Sequence, residues 1–144
     1  SSFEMSAMLA PLLLAQLDVL PDLLSRRERL WRRYHEHLRA WAAATGAEFL
    51  PAEGRHAFHT FAIRFPDADR RVLAQASLAR DGVASATHFE PLHLSPMGRR
   101  CAAVESSCPM TERWVPTLVR LPLFDSLTDT EQDRVIDALL QVNP

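Results

Sequence analysis

Apolar side chains recur along this chain at two periods. Leu23, Leu24, Leu30, Trp31, Tyr34, Leu38 and Trp41, with Arg27 among them, fall three or four residues apart. That spacing gathers them on one stripe of a helix. Pro21 suits the helix's first turn, and Gly46 stops it near Thr45. Before it, Ala7 to Leu17 is apolar nearly all round, with Ser6 placed to cap it. Pro11 would remove a backbone bond from its interior, which predicts a kink or a late start. The run is too short to span a bilayer, Gln16 and Asp18 interrupt or end it, and no basic residue stands among the six before it. It reads as a buried core helix.

Alternation takes over further on. Glu48 to Leu50 is a short strand ended by Pro51, with a loop at Glu53-Gly54. From Phe58 to Phe65, His59, Phe61, Ile63 and Phe65 share one face, and Thr60, Ala62 and Arg64 the other. Pro66-Asp67 turns into a helix starting near Asp69, with Val72, Leu73 and Ala76 inward and Gly82 at its end. Val83 to His88 completes a strand–helix–strand unit. Its small residues Ala84, Ser85 and Ala86 imply something packed closely over it. Leu94 to Val104 reads as a loop containing Pro96 and Gly98. Pro109 begins a short helix that Pro116 limits, and Leu118 to Leu123 is a last strand. Thr128-Asp129-Thr130-Glu131 is a capping box opening a final helix with Val135, Ile136, Leu139 and Leu140 inward. The pattern is that of a soluble α/β domain with one polar loop.

Composition narrows the function classes. At 144 residues, 47% hydrophobic and 24% charged, this is one domain with one core. A net charge of −2 and a pI near 6.3 give no field that favours nucleic acid or an anionic membrane. The arginines opposite the apolar stripe of the long helix, Arg26, Arg29, Arg32, Arg33 and Arg39, read as a solvated face beside Glu28 and Glu36. Trp31, Tyr34 and Trp41 lie on the core stripe. Two cysteines are too few for a disulfide framework, so a reducing cytoplasm is the expected compartment. All sixteen basic residues are arginine. Without lysine, no side chain here can form a Schiff base with a carbonyl substrate or with pyridoxal phosphate.

Candidate chemistry centres on His88-Phe89-Glu90-Pro91-Leu92-His93, which holds two of the six histidines and a carboxylate. His88, His93 and Glu90 can supply an acid or base, hydrogen bonds to a polyhydroxyl substrate, or metal ligands. One histidine satisfying backbone groups at a strand end is the plainer alternative. His59 opens the alternating strand, either half-buried and hydrogen-bonded or facing a cleft beside the hexapeptide. A metal site would add His56, His59, Cys101 and Cys108, but neither H-x2-H nor C-x6-C matches a zinc pattern, and no metal is expected. Cys108 precedes a helix start, where a thiol can be activated; helix capping is the favoured role. There is no Gly-x-Ser-x-Gly elbow, and four glycines scarcely allow a phosphate loop.

Seven short stretches then fall in a telling order. They are Ser1-Ser2-Phe3-Glu4-Met5-Ser6, Ala15-Gln16-Leu17, Arg33-Tyr34, His59-Thr60-Phe61, the hexapeptide, Cys108-Pro109-Met110-Thr111-Glu112 and Leu121-Pro122-Leu123-Phe124. Over essentially all 144 residues the chain resembles the C-terminal part of the DegT/DnrJ/EryC1/StrS sugar aminotransferases. The branch making 4-amino-4,6-dideoxy sugars on dTDP carriers is the most similar.

The resemblance implies the small domain of a fold-type I enzyme. Its expected architecture is a three- or four-stranded, mostly antiparallel sheet covered on one side by helices, with a long N-terminal helix. Residues 1–144 would form this domain, and the large domain with the coenzyme-binding lysine would precede Ser1. The complete enzyme would use pyridoxal 5'-phosphate to move an amino group, commonly from glutamate, onto a keto sugar-nucleotide. It would be a cytoplasmic homodimer without nucleic-acid or membrane partners, and this chain alone would be inactive. The family's Gly-x-Asn-Tyr/Phe-Arg-Met segment reaches the coenzyme phosphate of the partner subunit. Here Ser2 stands at the asparagine position and can still donate to phosphate, whereas Glu4 at the arginine position would repel it. The hexapeptide matches the family loop facing the active-site cleft, making His88, His93, Glu90 and His59 candidates for substrate contact. Pro11 and Pro116 depart from the family pattern. A non-catalytic interaction or carbohydrate-binding module of the same fold, and a His/Cys metal protein, are the alternatives. In isolation, the first two helices would expose apolar stripes and drive association.

Overall fold

The computed structural model describes residues 6–51, 56–101 and 107–142. Ser2, Glu4, the Glu53-Gly54 loop and the stretch 102–106 lie outside the described residues. Among the described residues, six α-helices and four strands follow in the order α1 (Leu9–Asp18), α2 (Leu20–Thr45), β1 (Glu48–Phe49), β2 (Phe61–Arg64), α3 (Ala68–Arg80), β3 (Ala86–Thr87), α4 (Pro96–Cys101), α5 (Pro109–Trp114), β4 (Leu118–Leu121) and α6 (Asp129–Leu140). A 3-10 turn, Val115–Thr117, carries Pro116 between α5 and β4. The strands form one antiparallel sheet in the order β1-β2-β4-β3. This is the α/β small-domain architecture expected from the sequence.

Register sorts the side chains into two faces. Phe61 opposes Leu121 and Ile63 opposes Val119, and these four point into the core against α2, α3 and α6. Trp31, Tyr34, Leu38 and Trp41 of α2 bury there as the helical period requires. Polar groups lock the layers. Tyr34 donates its hydroxyl to the Pro122 carbonyl at 2.9 Å, and burial pushes that phenol well above its ordinary pKa. Fully buried Gln132 on α6 donates to the Leu30 carbonyl at 2.7 Å, and Ser77 on α3 donates to the Ala138 carbonyl at 3.0 Å. Arg29–Asp129 and Arg33–Asp133 pair α2 with α6 along the rim.

Helix ends follow the local signals except at α1, where the capping position is Met8 without a side-chain bond and not Ser6. Gly46 ends α2 with φ 72°, a left-handed conformation that suits glycine. Pro21 sits in the first turn of α2. Pro11 gives α1 a late start at Leu9, where a missing N–H near the helix N-terminus costs no intrahelical bond. At α6 both halves of the capping box are made: Thr128 Oγ1 accepts from the Glu131 N–H at 3.2 Å, and Glu131 Oε2 accepts from the Thr128 N–H at 2.8 Å. The Thr128 hydroxyl also donates to Glu131 Oε2 at 2.8 Å, and the backbone N–H bond first, with this hydroxyl bond after it, holds the Glu131 carboxyl below its ordinary 4.5. Thr128→Ala should therefore cost about 1 kcal/mol at neutral pH. Because the folded pKa is the lower one, the carboxylate's share of this stability is present above pH 4.5 and disappears as pH falls through the folded pKa. Urea titrations of both proteins at pH 7 and pH 3 should show the difference shrinking in acid.

Several expectations are corrected. Helix α1 is not a core helix in this chain: none of its residues is buried, and Leu9, Leu12, Leu13, Leu14 and Leu17 are exposed because no described segment covers them. The strand expected from Phe58 to Phe65 spans only Phe61–Arg64, because Phe58 takes φ 45° and breaks the alternation. Phe58 is buried in consequence and His59 is exposed, not half-buried. Helix α3 buries Ala74, Ser77 and Leu78, while Val72, Leu73 and Ala76 face outward. Apolar residues line both sides of α3, and its contact with α6 chose the other one. The strand expected over Val83 to His88 shrinks to Ala86–Thr87, and Ala84, Ser85 and Ala86 border an open cleft instead of a packed layer. The loop expected over Leu94 to Val104 contains α4. Among the described residues, no helix is long and apolar enough to cross a membrane.

Candidate functional site

The second face of the sheet carries Ala62, Arg64, Leu118 and Arg120, with Ala86 beside Arg120 on the edge strand. Each arginine is covered by a ring. The Arg64 guanidinium lies 5.3 Å from the centre of the Trp114 ring and pairs with Glu48 on the neighbouring strand. Arg120 lies 4.8 Å from the Phe89 ring and donates through Nη2 to the Thr87 carbonyl at 3.2 Å. Arg120 Nε is buried without a partner among the described residues, a condition it shares with Arg27 Nε. Such an unsatisfied donor costs about 1–3 kcal/mol.

The hexapeptide leaves β3 and doubles back, so that Phe89, itself 72% exposed, lies over Arg120. His88 stacks edge-on against Phe89, and both His88 and Glu90 are exposed. His93 is different: its side chain is only 14% exposed, and Nε2 meets Glu112 Oε1 at 2.9 Å. The same carboxylate oxygen accepts the Cys108 N–H at 3.1 Å. The His93 bond, and after it the Cys108 bond, hold the Glu112 carboxyl below its ordinary range. An ionised carboxylate only accepts, so Nε2 carries a proton, and in the neutral ring Nδ1 is then an acceptor. Cys108 occupies the capping position of α5, but its thiol makes no capping bond; the Glu112 carboxylate reaches back to accept the Cys108 N–H.

Behind the hexapeptide a tight loop fixes its last residues. The Leu92 carbonyl accepts from the Ser95 N–H at 3.2 Å and the Ser95 hydroxyl at 2.8 Å, and Ser95 Oγ accepts the Gly98 N–H at 3.0 Å. At the end of the sheet where β2 begins and β4 ends, His59, Thr60, Ser85, Arg120, Leu121 and Pro122 border a cleft of 330 Å³. His59 and the hexapeptide thus meet through Arg120: His59 shares its cleft, and Phe89 covers its guanidinium. No hydrogen bond among the described residues joins His59, His88 or Glu90 to another candidate side chain. No three His, Cys, Asp or Glu side chains cluster as metal ligands among the described residues. Sequence reasoning passed over Arg120, Trp114 and the pairing of Glu112 with His93. The one signal for Arg120 was a lone charge inside an apolar strand.

Comparison with known proteins places the fold. The model of the DegT/DnrJ/EryC1/StrS aminotransferase family matches residues 1–140. Among solved structures, a Streptococcus pneumoniae protein described as a sugar aminotransferase, in its PLP form, superposes with TM-score 0.79 and 27% identity over 96% of this chain and 36% of its own. S. venezuelae DesV, solved with a ketimine intermediate, gives 0.77 and 28% over 90% of this chain and 34% of its own. The aminotransferase TlmJ from Streptoalloteichus hindustanus gives 0.74 and 27% over 89% and 34%. The chain spans about a third of the length of these solved proteins. By a family match running through nearly every residue, this chain belongs to the DegT/DnrJ/EryC1/StrS aminotransferase family.

Proposed function

We propose that residues 1–144 are the C-terminal small domain of a pyridoxal-phosphate aminotransferase that moves an amino group from glutamate onto a keto-deoxyhexose carried by dTDP. The supporting observation is the likeness, across 96% of the chain, to a pneumococcal protein solved in its PLP form. Pyridoxal phosphate is this family's cofactor, and the donor set here does not make a site for it. The chain has no lysine to tether the coenzyme. The tethering amine therefore belongs to another part of the enzyme, and no chemical step is assigned to the coenzyme within this chain.

In this reading the chain's residues bind and orient. His93, with Nε2 held by Glu112, offers Nδ1 to a sugar hydroxyl or an incoming amine. His88, Glu90 and His59 are the further substrate contacts, and Ser2 would reach the coenzyme phosphate held by the partner subunit. The enzyme works as a cytoplasmic homodimer.

Given pyridoxal phosphate, the chain with its α-amine blocked should show no aldimine absorbance and no turnover of glutamate with a dTDP-keto-deoxyhexose. The complete polypeptide that carries it should show both. Turnover by these residues alone, or none by the complete polypeptide, would overturn the proposal.

The exposed leucines of α1 belong, on this reading, against the remainder of the enzyme. A stripe that size left in water favours association. Sedimentation velocity of the isolated chain should therefore show its mean mass rising with concentration, whereas a monomer at every concentration would count against the assignment.

A further inference from the structure

We propose that the cleft bordered by His59, Thr60, Ser85 and Arg120 is a binding site for the oxyanion of a small molecule, a carboxylate or a phosphate monoester, with Arg120 as its anchor. Four observations carry it. First, Arg120 is an arginine without an acid. Arg64, on the same face of the sheet, is neutralised by Glu48, but no carboxylate among the described residues lies within ion-pair distance of Arg120. Second, its guanidinium is already held, between the Phe89 ring and the Thr87 carbonyl, so little side-chain freedom remains to be lost on binding. Third, its Nε is buried and has no acceptor, a state that calls for an explanation. Arg27 shares that state; Arg120 is set apart by its place on a cleft. Fourth, the cleft, at 330 Å³, is of small-ligand size, and its lining combines one fixed cation, the exposed His59 ring and the Thr60 and Ser85 hydroxyls with no acidic side chain. A planar guanidinium with several N–H groups is the side chain best matched to the paired oxygens of a carboxylate or phosphate.

The proposal shares His59 with the reading above but needs neither coenzyme nor sugar. Its failure would leave the family assignment untouched, and failed turnover by the complete enzyme would leave this site untouched.

The test is a titration of the nitrogen-15-labelled chain, at fixed pH, with sodium phosphate and separately with sodium succinate. The His59 ring and the Arg120 Nε–H resonances are followed. Saturable shifts of both groups are expected. Response to both anions means a general oxyanion site; response to one identifies the source as phosphate or carboxylate. Arg120→Gln should weaken binding about tenfold or more, read at His59, since a charge-assisted hydrogen bond is lost. His59→Gln changes an exposed residue and keeps the fold, and it should weaken binding several-fold, read at Arg120. No saturable shift with either anion overturns the proposal. So do shifts that persist undiminished in His59→Gln or in a folded Arg120→Gln.

Discussion

Phe61→Ala is expected to lower the unfolding free energy by about 3 to 5 kcal/mol. Phe61 is 1% exposed and stands where β2 meets the long helix. Its ring lies 5.3 Å from Trp31, 5.1 Å from Tyr34 and 5.2 Å from Phe49, and Leu121 is its partner across the sheet. Truncation would leave a hole lined by three rigid rings, which repack poorly, so the cavity cost adds to the lost transfer energy. Against a typical total of about 5–15 kcal/mol, that removes at least about a fifth of the margin. Urea unfolding should show a lower midpoint with an unchanged slope. Val72→Ala is the matched control: Val72 is 51% exposed, so its loss should stay within about 0.5 kcal/mol. Similar costs at the two positions would mean that the core is not centred on Phe61.

Gly98→Ala is expected to break the loop that fixes His93. A β-carbon at position 98 would lie 1.7 Å from the Leu92 carbonyl oxygen and 2.7 Å from its carbon. Both are backbone atoms, tied by Ser95, and cannot swing aside as a flexible side chain would. In an ordinary helix glycine-to-alanine stabilises by about 1 kcal/mol. Here the overlap reverses the sign, and overpacking of this kind costs about 1–3 kcal/mol. The damage should be local. Amide exchange at Arg99, whose N–H bonds the Ser95 carbonyl, should accelerate at least tenfold, and the His93 ring signals should move as its bond to Glu112 loosens. Helix α6, which carries its own capping box, should keep its protection. An Arg99 amide protected as in the parent chain would show that Gly98 has room for a side chain.

Helix boundaries were legible wherever one residue type answers a local demand. Gly46 supplies a left-handed φ, Thr128 and Glu131 satisfy each other's amides, and Pro109 and Pro21 sit where a missing N–H costs nothing. The stripe of Leu30, Trp31, Tyr34, Leu38 and Trp41 was legible because its polar side is unambiguous. Helix α3 offered no such contrast: Val72 and Leu73 are as apolar as Ala74 and Leu78, and the period alone could not choose between faces. His59 lies in the cleft, the second of the two placements open to it, and not half-buried, because a single backbone torsion at Phe58 shifts the phase of everything before Phe61. The hexapeptide was legible as a polar loop, but the carboxylate that holds His93 lies nineteen positions away.

Order along the chain by itself determined the family, the capped ends of α2 and α6 and the lack of any amine side chain able to form an imine, since these depend on residue identity and short-range spacing. Only the tertiary structure decided which groups act together. It alone laid Phe89 over Arg120, set Glu112 against His93, opened a cleft where the small residues of β3 had implied a packed layer, and left α1 uncovered. Pairings of this kind arise from the register of the sheet and the return path of a loop, and those are settled by packing between segments far apart in sequence.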